Sequence, residues 1–345
     1  MSTQPTLVGR LIAVLIGLLL LLAIGEVGLR LTMPQWPEFY SARFMRVVDV
    51  EGHGHVTTGR PGFDGWFAQN NGDFRAHIRI NDFGLRNPEP VGAANGVVWI
   101  VGDSMTFGWG VEQDEMYSSR IASVLGTKTY NVASPGTDVC GYQALVARMP
   151  EGIRPAAVVI GLVLENDLLQ YNCTVQATAV PVVEPTRLID VKFWLTGRSA
   201  LYNVLAVILK RVDIVREALI VSGLVNREQA YKRFFTPEEV EAVTASTAAE
   251  LANLRQQVPT GTPYAVLIVP ARFEIADDDQ PYRDARVALA KELAGRGIGV
   301  IDPFEAFKVA GFKPTHFIHD GHWSPLGHRI AGEAVAAWLR ANLPR

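Results

Sequence analysis

The run GVVWIVGDS, residues 96–104, decides how this chain reads. Val97 to Val101 are apolar without alternation, the mark of a short strand buried on both faces rather than one with a wet side. Asp103 and Ser104 then end the run in a turn. Two similar runs follow, AAVVIGLVL at 156–164 and YAVLIVP at 264–270, with shorter candidates at Thr127–Val132 and in GIGVIDP, 297–303. Helical spacing separates them, around Met116–Leu125, Thr137–Met149 and Tyr282–Gly295. The stretch SPLGHRIAGEAVAAWLRANL, 324–343, reads as a long amphipathic helix with Ser324 as its cap and Pro325 in its first turn. Strands alternating with helices predict an α/β domain, a parallel sheet covered on both faces.

Working outward, residues 174–257 do not keep this rhythm. VKFWLTGRSALYNVLAVILKRV and VREALIVSGLV are apolar with helical period, and Thr236-Pro237 opens a helix that runs to Gln257. This is read as a helical insertion that rejoins the core: a lid over the site, a surface that packs on a membrane, or plain extra packing. On the other side, residues 32–95 form a lead-in rich in Gly, Pro and aromatics. It carries one evident strand, FRAHIRIND, in which Phe74, Ala76, Ile78 and Ile80 alternate with polar residues.

The N-terminus stands apart. Leu11 to Ile24 is uniformly apolar, and extension to Leu31 reaches the ~20 residues a membrane span needs. Residues 1–31 are read as an uncleaved signal anchor, with a cleaved signal peptide as the alternative because Ala23-Ile24-Gly25 is a mediocre cleavage match. The expectation is a cytoplasmic N-terminus with residues 32–345 exported. Charge and composition agree with a packed domain: 345 residues, 48% hydrophobic, 19% charged, net −3, so neither disorder nor a nucleic-acid partner is indicated. The two cysteines, Cys140 and Cys173, would persist as a disulfide in an oxidising compartment, or stand as two free buried thiols.

Three successive strand ends and the C-terminal segment each offer one group suited to acyl transfer. Ser104 ends the first buried strand, where ligands bind in open α/β sheets. Its base would be a histidine, and four of the seven lie within 316–328. In HDGHW, Asp320 and His322 are two apart, a spacing that lets a carboxylate orient the ring while its other nitrogen faces the serine. For the oxyanion, NVASPG supplies Gly136 and LENDL supplies Asn166, beside the Ser104 N–H. His319 is the competing base. Asp103 reads as capping the following turn or holding the loop, Asp167 as a structural turn residue, and His328 as a packing or surface residue of the last helix. A zinc reading of His316, His319, Asp320 and His322 leaves Ser104 and Asn166 without a purpose.

These four blocks, VGDSMTFGWGV, NVASPGTD, LENDL and HDGHW, resemble those of the SGNH or GDSL hydrolases. The resemblance runs from about Val98 to the C-terminus, interrupted by the insertion. It implies a three-layer αβα sandwich of flavodoxin-like type over 96–345, no metal or cofactor, and attack on carboxylic esters. It implies Ser104, Asp320 and His322 as the triad, with Gly136 and Asn166 in the oxyanion hole. Two departures stand out: aspartate and histidine are two rather than three apart and are followed by Trp323, and Glu165 precedes the asparagine. The D-x-H-W form resembles exported, membrane-associated members, including polysaccharide O-acetyltransferases. The expected substrate is therefore an acetyl ester of a cell-surface carbohydrate. A lipid-directed esterase or lysophospholipase, and a non-catalytic envelope binding module, are the alternatives.

Overall fold

The computed structural model describes residues 6–69, 72–178, 187–221 and 235–343. Along the chain come α1 (Leu7–Thr32) and four strands, β1 (Met45–Val50), β2 (Gly54–Gly59), β3 (Asp64–Ala68) and β4 (Arg75–Arg79). Next are β5 (Val98–Gly102), α2 (Ser104–Phe107), α3 (Tyr117–Leu125), β6 (Thr129–Ala133), α4 (Val139–Ala147), β7 (Ala157–Val163), α5 (Leu164–Asp167) and α6 (Cys173–Thr178). Then follow α7 (Arg187–Arg198), α8 (Ala200–Arg211), α9 (Asp213–Val221) and α10 (Pro237–Gln256). The chain ends with β8 (Tyr264–Val269), α11 (Arg272–Asp277), α12 (Gln280–Gly295), β9 (Gly299–Ile301), α13 (Phe304–Ala310), α14 (Phe312–Thr315) and α15 (Pro325–Asn342). The helical reading of 174–257 falls partly outside the described residues, at 179–186 and 222–234.

These residues form two compact units. The larger draws on Ala42–Phe67, Asp73–Val182 and Asn226–Arg345. Its centre is a five-stranded parallel sheet in the order β6-β5-β7-β8-β9. Numbered by appearance in this sheet that order is 2-1-3-4-5, the flavodoxin-like winding, so the αβα expectation holds. The period of two along each strand sorts the side chains. Val98 and Ile100 of β5, with Ala157 and Val159 of β7, face α3, α13 and α15; Trp99 and Val101, with Val158, Ile160 and Leu162, face α4, α10 and α12. Every residue of β5, β7 and β8 is buried, which is why their sequences show no alternation.

The lead-in is more regular than its composition indicates. Besides β4, it forms β1 and β2 as an antiparallel pair and β3 paired with β4. Thr, Gly and His in HVTTG and the exposed positions of MRVVDV hide these strands, because a small two-stranded sheet buries too little to impose an apolar stripe. Phe67, Phe74, Ile78 and Ile80 form a cluster with Phe107 of α2 and so reach the turn that carries Ser104. Cys140 and Cys173 are joined as a disulfide, tying α4 to α6.

The smaller unit draws on Met1–Ser41, Ala68–Gly72 and Val183–Val225. Its first helix, α1, is 26 residues long, long and apolar enough to cross a membrane, and its apolar side chains lie uncovered. The apolar stretch of helical period at 191–212 divides at Ser199, which caps α8 by accepting from the N–H of Tyr202.

Candidate active site

The site starts from two glycines. Gly102 of β5 pairs with Gly161 of β7, and a Cβ on either would lie 2.2 or 2.3 Å from Thr106 Oγ1. Their bareness lets α2 seat directly on the strand pair. Thr106 Oγ1 then meets the Tyr117 hydroxyl at 2.9 Å. Asp103 caps α2, its carboxylate accepting from Met105 N–H at 2.8 Å, as the sequence reading expected. Ser104 is thereby held at the carboxyl end of β5, next to the switch point between β5 and β7.

The last block is a hairpin-like loop between α14 and α15. His316 and Trp323 form an antiparallel bridge, and Phe317 N–H donates to the His322 carbonyl at 2.8 Å. Trp323 is fully buried, stacked on Phe307 at 5.1 Å between centroids and edge-on to His328 at 5.6 Å. That anchor accounts for the tryptophan after the histidine: it roots the loop in the core while His322 turns to Ser104. His322 Nε2 lies 2.8 Å from Ser104 Oγ, and Nδ1 is hydrogen-bonded to Asp320 Oδ1. Asp320 thus accepts a hydrogen bond from Nδ1–H and leaves Nε2 to accept from the serine hydroxyl. Burial alone would lower the imidazole pKa, but the Asp320 charge and hydrogen bond outweigh it, and His322 stands above its ordinary value.

The other histidines of the block are engaged elsewhere. His319 is largely exposed, and its Nδ1 lies 2.5 Å from Asp73 Oδ1. His316 is buried with Nδ1 2.9 Å from Thr315 Oγ1, and burial pushes it down to about 3. His328, buried on α15 as a packing residue, is likewise pushed down to about 3. The four residues that sequence spacing offered as zinc ligands do not converge, and no group of three or more His, Cys, Asp or Glu is arranged for a metal among the described residues.

Asn166, in the short helix α5 after β7, donates to Asp103 Oδ2 at 3.1 Å. This places it beside the Ser104 turn and leaves one N–H of its amide to donate elsewhere. Gly136 sits in the turn after β6 with φ +73°, exposed, and Ser134 N–H donates to the Gly102 carbonyl at 3.0 Å, tying that turn to the end of β5. Asp103 is raised by burial against the hydrogen bonds it accepts. Asp167 is raised well above the usual carboxylate range, first by burial and then by the charge of Asp103; it accepts from Tyr142 hydroxyl and Val163 N–H, both at 2.8 Å.

Five further residues, assigned no role there from the sequence, shape the site. Glu165 accepts from Arg272 N–H at 2.7 Å and from Arg272 Nε at 2.9 Å, and its carboxyl is raised by burial against the pull of that arginine. The same guanidinium lies under Gly321: a Cβ there would come 2.1 Å from Arg272 Nη1, and φ is +85°. Asp73 accepts from the backbone N–H groups of His319 and Asp320, each at 2.8 Å. Arg86 is wholly buried and donates to the carbonyls of Gly108 at 2.5 Å, Val111 at 2.7 Å and His77 at 3.0 Å, bracing the loop after α2; burial lowers it to about 10. Trp109 of that loop lies 5.8 Å from the His322 ring, centroid to centroid. Of these, Glu165 and Arg272 had a usable signal, since each follows the end of a sheet strand.

Residues 231–345, the C-terminal third of the chain and the part that holds Asp320 and His322, match the family model for the SGNH hydrolase-like domain of acetyltransferase AlgX. The resemblance to the SGNH hydrolases is borne out by that match, which does not extend to the D-x-H-W spacing as such. No curated protein matches the chain. Solved structures similar to it include the lipase/acylhydrolase from Enterococcus faecalis, at 14% identity and TM-score 0.41, covering 72% of this chain and 97% of that one. A carbohydrate esterase family 2 enzyme with a carbohydrate-binding domain from Corynascus thermopiles matches at 15% identity and TM-score 0.40, covering 74% and 68%. A member of the lipolytic protein G-D-S-L family from Veillonella parvula matches at 12% identity and TM-score 0.38, covering 70% and 96%. Likenesses this distant carry nothing about substrate or reaction.

Proposed function

We propose that this SGNH-like chain is a serine-dependent acyl-ester hydrolase or O-acyltransferase working outside the cytoplasm, with Ser104 as nucleophile, His322 as base and Asp320 orienting it. One observation carries the reading: the Ser104 hydroxyl meets a bare His322 Nε2 at 2.8 Å while Asp320 holds Nδ1. As Ser104 Oγ attacks the ester carbonyl, its proton passes to Nε2. The carbonyl oxygen becomes an oxyanion received by the Ser104 N–H, the free amide hydrogen of Asn166 and the N–H of Gly136. Collapse breaks the ester C–O bond, and the leaving alkoxide takes the proton from Nε2. Water or an alcohol then gives its proton to Nε2 and attacks the acyl-enzyme, and Ser104 leaves with that proton restored.

The acyl group is proposed to be acetyl and the alcohol a cell-surface polysaccharide hydroxyl. The match to an acetyltransferase domain supports this, together with an N-terminal helix fit to anchor the chain and a disulfide that suits an oxidising compartment. A lipid-directed esterase is the second reading, favoured by the same membrane helix.

The test is labelling of the full-length protein with a fluorophosphonate, beside Ser104→Ala and His322→Ala. Labelling lost in both variants is expected; a folded parent that never labels sinks the triad. Turnover of acetyl over long-chain esters selects the first reading, and the reverse preference selects the second. Acetate released with none on an added glycan acceptor argues for hydrolysis over transfer.

A further inference from the structure

A carboxylate sits in the apolar helix. From Leu7 to Glu26 α1 rises about 30 Å, the thickness of the hydrocarbon core. Glu26 therefore marks the far boundary of a span whose other charge, Arg10, lies one turn from the start. Glu26 is fully engaged there. It accepts from Ala200 N–H at 3.0 Å, Leu201 N–H at 2.9 Å and the Ser199 hydroxyl at 2.8 Å. Those are the unsatisfied donors at the start of α8, so one carboxylate both caps α8 and fastens it to α1. Arg30 donates to Glu26 at 2.7 Å and to the Arg198 carbonyl, and lies over the Trp36 ring at 4.6 Å; Arg198 lies over Trp194 at 5.5 Å. Two tryptophans and two arginines at one level are the composition of a membrane–water boundary.

From that fastening point α8 runs apolar and uncharged from Ala200 to Leu209. Among its described side chains the exposed ones are Leu205, Ile208 and Leu209, followed by Val212 at the C-cap. Their spacing is i, i+3, i+4, i+7, a single stripe about 100° wide. On α9 the exposed Ile214, Ala218 and Val221 fall on one side, with Ile214 84% exposed and the exposed Glu217 at the edge of that face, where its carboxylate can reach the headgroups. Exposed apolar stripes on two successive helices mark an interaction surface. We propose that α7 to α9 form a second membrane element, lying in the lipid interface with the α8 and α9 stripes among the acyl chains, and that Glu26 sets its depth by holding the start of α8 at the end of the span. The occupant of the stripes is lipid, because their helix starts at the boundary of a span whose own side chains are uncovered.

The test uses the full-length protein in phosphatidylcholine–phosphatidylglycerol vesicles, with a photocrosslinking amino acid at one position at a time: Ile208, Ile214, Leu18 as the span reference, and Val309, 88% exposed in the other unit, as the control. Lipid adducts at Ile208 and Ile214 are expected within about threefold of Leu18 and on the order of tenfold above Val309. With Glu26→Ala added, the yield at Ile208 should fall toward the control while Leu18 is unchanged. Yields at the Val309 level, adducts to a second copy or another protein in place of lipid, no lipid adduct at Leu18, or no response to Glu26→Ala would each overturn the proposal. None of these readings depends on whether Ser104 is reactive.

Discussion

Ser104 and His322 face each other across 2.8 Å, but the regions that carry them are secured differently. The Ser104 turn rests on the sheet itself: paired glycines beneath, Thr106 and Tyr117 bonded in the core, Asp103 capping from one residue away. The His322 loop is rooted in the core by Trp323 and the buried His316, and is otherwise positioned by polar side chains far away in sequence: Asp73 on the lead-in and Arg272 with Glu165. One side depends on packing and glycine, the other on hydrogen bonds between distant segments. Damage to the first should register as lost stability, damage to the second as lost geometry.

The largest effect that would sharpen this contrast is Asp320→Asn. Loss of the carboxylate should lower kcat by about 10⁴ with little change in fold. His322 must be neutral to accept the serine proton, and its pKa is raised, so activity should fall as pH drops through a value above an ordinary histidine's. In Asp320→Asn that acid limb should move to lower pH; a pH–rate profile checks both. An unmoved limb would mean another group is the base.

Arg272→Met comes next. It leaves Glu165 buried without its cation, which should cost about 3–5 kcal/mol in urea unfolding, and it removes the brace under Gly321. The double variant Glu165→Leu, Arg272→Met should regain most of the stability but not kcat, because Gly321 stays unsupported. Recovery of both would break the comparison. Gly102→Ala is the matching test on the nucleophile side. The added methyl meets Thr106 and the Gly161 carbonyl, and about 1–3 kcal/mol of stability should be lost. If kcat falls while the melting temperature stays, the turn is not a packing device.

Asp73→Asn should be mildest. One carboxylate oxygen serves two backbone N–H groups, and weakening it should cost about 1 kcal/mol of transition-state stabilisation, seen in kcat/KM with the melting temperature nearly unchanged.

How much was legible follows the same division. The strands of the sheet could be read because burial on both faces strips them of polar residues, and Ser104 could be read because it stands where such a strand ends. The C-terminal helix and its cap position at Ser324 were legible, but not the partner of the cap hydroxyl, which donates to the Pro314 carbonyl. Strands β1 to β3 were missed because small sheets leave no apolar signature. Asp73 was missed because a carboxylate in a glycine-rich turn looks like any turn former.

By itself the sequence determined the periodicities: which runs are buried on both faces, where each ends, and so which four segments bring a serine, a glycine, an asparagine and an aspartate–histidine pair to strand ends or loops. It also determined the long apolar helix. Only the tertiary structure decided which histidine meets Ser104, that Cys140 joins Cys173, that Arg272 supports Gly321, and that Glu26 receives the start of α8. The reason is one of range. Periodicity and capping act over a few residues and are written locally, whereas a hydrogen bond across 170 positions leaves no local mark on either partner.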